Sequence, residues 1–142
     1  MILLRFVTAD VFTSAPFTGN PLAVVFGADA LPTATLHAIA REFNYSETVF
    51  VFPPADPAHT RRVRIFTPEE ELPFAGHPTV GTAHVLVALG EVPIYGDEVT
   101  VVLGEGVGPV PVRVRLADGV PVHAQLNTAM LPEEHHDVPT IE

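Results

Sequence analysis

Three residue types are missing from this chain: cysteine, tryptophan and lysine. Without cysteine there is no thiol nucleophile, no disulfide framework and no thiolate metal site. Without lysine there is no Schiff base on a side-chain amine. The seven basic residues are all arginine, set against 17 acidic ones, and the net charge is −10. No basic stripe exists to neutralise phosphates, so no nucleic acid is expected as a partner. The global field does not attract an anionic substrate, so local dipoles have to hold one. No apolar run reaches the length of a membrane span, and no membrane partner is expected. Residues 1–6 lack a leader's apolar core and small-residue cleavage site and read as strand. The expected setting is soluble and cytoplasmic.

What is present argues for a packed protein. The chain has 142 residues, 47% of them apolar and 17% charged, which suits one domain with a real core and not disorder. Ten glycines and fifteen prolines suggest many turns and short strands. Strands are expected over 3–12, 22–26 and 47–52, with a loop over 13–21 broken by Pro16, Gly19 and Asn20-Pro21. Over 33–43, Leu36, Ile39, Ala40 and Phe43 fall on one helical face, with Thr33 as N-cap and Asn44-Tyr45-Ser46 as the stop. Residues 53–59 read as a loop. In 61–67, Val63 and Ile65 alternate with Arg62, Arg64 and Phe66, the mark of a half-buried strand. Residues 77–89 carry no formal charge between Pro78 and Leu89 and are apolar all round, as in a helix buried on every side. Pro78 suits its first position and Gly90 its C-terminal cap. Strands follow over 98–103, 110–116 and 120–127, the last two joined by Asp118-Gly119, a strong hairpin signal.

The fold class read from this pattern is α+β. A curled, mostly antiparallel, barrel-like sheet surrounds a central buried helix, and a second helix lies outside. Residues 1–129 form the domain. Residues 130–142, acidic and containing proline, read as a tail or the start of a linker.

Two places stand out chemically. In Phe74-Ala75-Gly76-His77-Pro78-Thr79-Val80-Gly81 a glycine turn runs into a helix, whose free N–H groups and dipole suit a carboxylate or phosphate. Gly76 and Gly81 allow close approach of a ligand or a second backbone. His77 can donate a hydrogen bond or shuttle a proton there, or simply cap the helix. Glu47 opens an apolar strand, where desolvation raises a carboxyl toward the range of a general acid/base; the plain alternative is an exposed strand-end carboxylate. Asn20 either orients a polar substrate or is turn chemistry. His84 reads as a satisfied core histidine. Glu69-Glu70-Glu71 reads as a solvated turn, and Glu133-Glu134-His135-His136-Asp137 as at most an adventitious metal binder.

Five ordered motifs carry a resemblance. They are Asp10-Val11-Phe12; Pro16-Phe17-Thr18-Gly19-Asn20-Pro21-Leu22-Ala23-Val24-Val25; Ile39-Ala40-Arg41-Glu42-Phe43-Asn44-Tyr45-Ser46-Glu47-Thr48-Val49-Phe50-Val51; Ile65-Phe66-Thr67-Pro68; and Glu71-Leu72-Pro73-Phe74-Ala75-Gly76-His77-Pro78-Thr79-Val80-Gly81-Thr82-Ala83. The sequence resembles the phenazine-biosynthesis-like isomerase family (PhzF-like), of the diaminopimelate-epimerase-like fold, closely over its first ninety or so residues. The resemblance implies Glu47 as the catalytic acid/base and His77 as the polar partner beside the substrate. It implies Gly76 and His77 amides on a substrate carboxylate, with Asn20, Pro78 and Thr79 among the substrate-contacting positions. Ala75 stands where epimerase relatives carry a cysteine, so a two-thiol racemisation is not implied. Neither cofactor nor metal is expected. The implied reaction is a proton shift on a small carboxylate-bearing substrate; the alternative is a catalytically silent binding or dimer-forming module. Family members are about twice this length, with an Asp and a Gly-Ser pair supplied from a second domain. The expected partner is therefore that second domain, or a second copy of this chain in a homodimer.

Overall fold

The computed structural model describes residues 2–128. The expected tail over 130–142, with its acidic and histidine cluster, lies outside the described residues. The elements are β1 (Arg5–Val11), β2 (Asn20–Phe26), α1 (Thr33–Phe43), β3 (Glu47–Phe52), β4 (Arg61–Phe66), β5 (Glu71–Leu72), α2 (Gly76–Ala88), β6 (Glu98–Glu105), β7 (Gly108–Ala117) and β8 (Val120–Leu126).

One sheet runs in the order β1-β2-β3-β4-β6-β7-β8, with β5 on β4. β2–β3 and β4–β6 are parallel and the other pairs antiparallel. The β4–β6 link is short, Arg61 with Leu103 and Arg62 with Gly104. Helix α2 touches both β1 and β8, the two ends of this order, so the sheet curls around it. The curl leaves a seam between those ends, a cavity of about 440 Å³ reached by Asp10, Phe12, His84 and His123.

Helix α2 is buried along most of its length, from Pro78 and Thr79 to Leu86 and Val87. Its core is shared with Leu22, Val49, Ile65, Leu103 and Val112 from the surrounding strands. β7 shows the one-sided pattern plainly: Val110, Val112, Val114 and Leu116 are buried while Arg113 and Arg115 face out. Helix α1 covers the opposite face of β2–β4 and forms a smaller core from Leu36, Ala40, Phe50, Phe52 and Phe66. Those central strands are therefore covered on both faces. That explains why Phe66, aligned in sequence with the outward Arg62 and Arg64, is 1% exposed.

Helix ends depart from expectation in detail. Pro32, not Thr33, is the N-cap of α1, and no side chain caps it. Thr33 Oγ1 instead accepts a bond from Arg64 Nη2 at 3.0 Å. Helix α2 starts at Gly76 with Ala75 as N-cap, so Pro78 is its third residue rather than its first. The missing proline N–H costs nothing there, because no first-turn amide has an intrahelical acceptor. At the other end Gly90 has φ +70°, with Gly90 N–H on Val87 O and Glu91 N–H on Leu86 O, a Schellman closure. Asp118 and Gly119, at φ 51° and 78°, make the left-handed two-residue turn that matches strand twist. Among the described residues, no helix is long and apolar enough to cross a membrane.

Candidate active site

The first turn of α2, the start of β3 and the start of β2 meet on one open face. Glu47 pairs in register with Leu22, which places it two residues along from Asn20. His77 then reaches both strands. Its Nδ1 lies 2.5 Å from Glu47 Oε2 and its Nε2 lies 3.1 Å from the Asn20 carbonyl oxygen. The two side chains are 9% and 17% exposed, so the pair is largely desolvated yet keeps an edge toward solvent.

The proton count follows from the partners. A carbonyl oxygen only accepts, so Nε2 carries a hydrogen and donates to Asn20. One further proton lies between Nδ1 and Oε2, on the ring or on the carboxyl. In both placements the pair is neutral overall; a further proton taken up by the carboxyl makes it a net cation, and release of that proton restores neutrality. The imidazole is thus held in one orientation from both sides.

Gly76 and His77 occupy the first two helical positions, so neither amide has an intrahelical acceptor. Pro78 has no N–H to offer. A Cβ on Gly76 would meet nothing within 4 Å, so that position opens outward. Gly81 is different: its Cβ would lie 2.6 Å from Leu22 Cδ2 and 2.8 Å from Val11 Cγ2, so this glycine serves helix–sheet packing and not a ligand. Pro78 and Thr79 are buried. The Thr79 hydroxyl bonds inward, to Ala75 O and Glu105, and offers nothing to a substrate on the open face. The expected substrate contact by the Thr79 side chain is therefore not what its geometry provides.

The Asn20 amide is turned aside, accepting from Ser46 Oγ at 2.8 Å. Its loop is organised by Asp10, a role the sequence reading missed. Asp10 Oδ2 accepts from the Thr18 and Gly19 amides at 2.9 and 3.1 Å. Gly19 permits this turn, since a Cβ there would lie 2.3 Å from Val11 O. In and before this loop, Phe12 and Phe17 are 75% and 99% exposed, both with left-handed φ (63° and 66°). The Phe12 ring is 6.0 Å from the His77 ring. Left-handed φ at bulky residues costs backbone energy, and it recurs where function over-determines the conformation.

The other candidates fall away from this face. His84 is not a satisfied core residue: it lies partly buried on the seam cavity, and that burial lowers its pKa below the ordinary histidine value. Glu71 does not sit on a solvated turn; it forms β5 and clamps Arg64 through both carboxyl oxygens at 2.7 and 2.6 Å. The Arg64 bond holds the Glu71 carboxyl below its usual range. No group of three or more His, Cys, Asp or Glu among the described residues is arranged to hold a metal ion.

A half-barrel sheet curled around a buried helix is the diaminopimelate-epimerase-like architecture. The chain belongs to the phenazine biosynthesis-like protein family, whose model matches residues 9–137. It is 52% identical over 124 residues to an uncharacterized isomerase of Mesorhizobium japonicum, covering 87% of this chain and 40% of that protein. It is 40% identical over 135 residues to a trans-2,3-dihydro-3-hydroxyanthranilate isomerase of Pseudomonas aeruginosa, covering 95% of this chain and 46% of that one. The solved structure of a predicted epimerase from Pseudomonas aeruginosa superposes with a TM-score of 0.70 at 41% identity, over 80% of this chain and 39% of that one. The chain thus spans less than half the length of these relatives.

Proposed function

We propose that this chain supplies one wall of a cofactor-free isomerase that shifts a proton on a small carboxylate-bearing substrate. The observation that carries the reading is the Glu47–His77 contact at 2.5 Å, set beside the two amides without an intrahelical acceptor that open α2. Those amides and the positive end of the helix hold the substrate carboxylate. Glu47 removes a proton from one carbon and returns it to another. His77 stays bonded to the carboxyl through Nδ1, and the net positive charge the pair gains on taking the proton faces the negative charge left on the substrate carbon. Asn20 acts through its backbone carbonyl, by orienting His77.

The second wall comes from another domain or a second copy of this chain. The exposed Phe12 ring beside the pair supports a covered face there. The relatives named as trans-2,3-dihydro-3-hydroxyanthranilate isomerases make that compound the first substrate to try. In protein that carries both walls, Glu47→Gln is expected to slow exchange of substrate C–H with deuterated solvent by about 10²–10⁴-fold, the usual worth of a general base. Unchanged exchange would remove Glu47 from the role. Tight binding of the substrate with no exchange in the unmutated protein would favour a silent binding module.

A further inference from the structure

Glu105 sits in Gly104-Glu105-Gly106, at the tip of the β6–β7 hairpin, where a carboxylate ordinarily faces water. Here the tip is folded against the back of the candidate site. Val107 N–H donates to Pro73 O at 3.3 Å. A Cβ on Gly106 would lie 2.8 Å from Pro73 Cα, so glycine is what lets the tip come this close. The Thr79 hydroxyl oxygen lies 2.7 Å from Glu105 Oε1 and 2.6 Å from Ala75 O.

A hydroxyl has one proton, and the Ala75 carbonyl can only accept. When Thr79 donates to Ala75, the bond to Glu105 requires the carboxyl to donate, and so to be protonated. The other oxygen, Oε2, is buried with no hydrogen-bond partner among the described residues. That is tolerable for the carbonyl oxygen of a neutral acid and costly for a carboxylate. Burial pushes the Glu105 carboxyl up to about 7, against the opposing Thr79 bond.

We propose that Glu105 is a positioning residue. Its protonated carboxyl, acting through the Thr79 hydroxyl, holds the Ala75 carbonyl and so fixes the direction of the Gly76 and His77 N–H groups. Loss of that proton turns the Thr79 hydroxyl to the carboxylate and leaves the Ala75 carbonyl to the longer Thr79 N–H bond at 3.3 Å, loosening the turn. The charged groups around it have other partners. Arg64 and Glu71 line the same cavity, of about 450 Å³, and are bonded to each other. Arg62, also on its wall, stacks over Phe52 at 4.5 Å. The His59 ring lies behind Gly104, 3.2 Å from where a Cβ there would stand. On α2, His77 is engaged by Glu47 and Asn20, and His84 faces the seam. On β7, Arg113 and Arg115 pair with Thr100 and Glu98, away from the tip.

The test reads the backbone of the 142-residue chain with no substrate present, so it stands or falls apart from the isomerase reading. The Glu105 carboxyl carbon and the backbone amides are followed by NMR from pH 4 to 9. The carboxyl is expected to titrate near 7, and the Gly76 amide to move with the same midpoint. Glu105→Gln should remove the Gly76 transition. Thr79→Val should leave the carboxyl transition and uncouple Gly76 from it. The stability sign follows: a folded chain that keeps a proton the unfolded chain releases loses stability as pH rises from about 4.5 to about 7. Glu105→Gln should abolish that loss in thermal midpoint. A carboxyl midpoint below 5 would overturn the proposal. So would a Gly76 transition that persists in either variant, since Glu105 acting through Thr79 would then not drive it.

Discussion

Two glycines of α2, five residues apart, separate packing from function. A Cβ at Gly81 has nowhere to go between Leu22 and Val11, whereas at Gly76 it enters open space. Gly81→Ala is therefore expected to lower stability by about 1–3 kcal/mol through overpacking, seen as a reduced denaturant midpoint. Gly76→Ala should leave stability unchanged or raise it by up to about 1 kcal/mol, because alanine is the better helix former. Its effect should fall on affinity for a carboxylate ligand in protein with both walls. Equal destabilisation by the two substitutions would contradict this division. The sequence showed both glycines and left their roles open. Their surroundings are set by residues dozens of positions away, so spacing within the motif could not tell them apart. Glu105 was invisible for the same reason, since its burial is imposed by the segment around Pro73 and Thr79.

The elements themselves were mostly legible. Helix α1 and strand β3 fall at their expected bounds, because apolar periodicity and the left-handed stop at Asn44 are local signals. The β7–β8 turn followed from Asp118-Gly119 in the same way. Strand β5 did not, for its two residues carry no periodicity and exist through a partner. Arg64, on β4, holds Glu71 and also reaches Thr33 of α1, so one guanidinium ties three elements. The Glu71 carboxyl is held below its ordinary 4.5. The stability it contributes is present above that pH and is lost as pH falls through the lowered value. Acidification below the ordinary carboxylate range is thus expected to release β5 before the main sheet. The Leu72 amide should lose protection in hydrogen exchange while Val112 stays protected. Simultaneous loss would mean that the Arg64–Glu71 bond does not govern β5.

At the scale of the whole molecule, the sheet has two leaves. One is β1–β4 and the other β6–β8; among the described residues, two residue pairs of β4 and β6 join them, with the Thr60–Val102 bonds beside these. Asn20 and Glu47 come from the first leaf, Glu105 from the second, and His77 from the helix clasped between them. The curled half-barrel was foreseeable from an uncharged helix amid strands. The sparse joint was not, because strand order is a property of pairing partners rather than of any one strand.

That joint bears on how the molecule assembles. The β6–β8 leaf is a meander of sequence-local hairpins, whereas the first leaf needs the β2–β3 crossover and α2 must be enclosed by both. Closing short loops is fast and long-range closure slow, so the meander should gain amide protection first and α2 last, in pulse-labelling of refolding chains. Protection of α2 before β7 would reverse that order. With the joint this short, the helix the two leaves enclose adds to the β4–β6 pairing and the Thr60–Val102 bonds in holding them in register. The acid/base pair accordingly comes together only at the final closure, and any looseness at the joint is felt first where the leaves meet the start of α2.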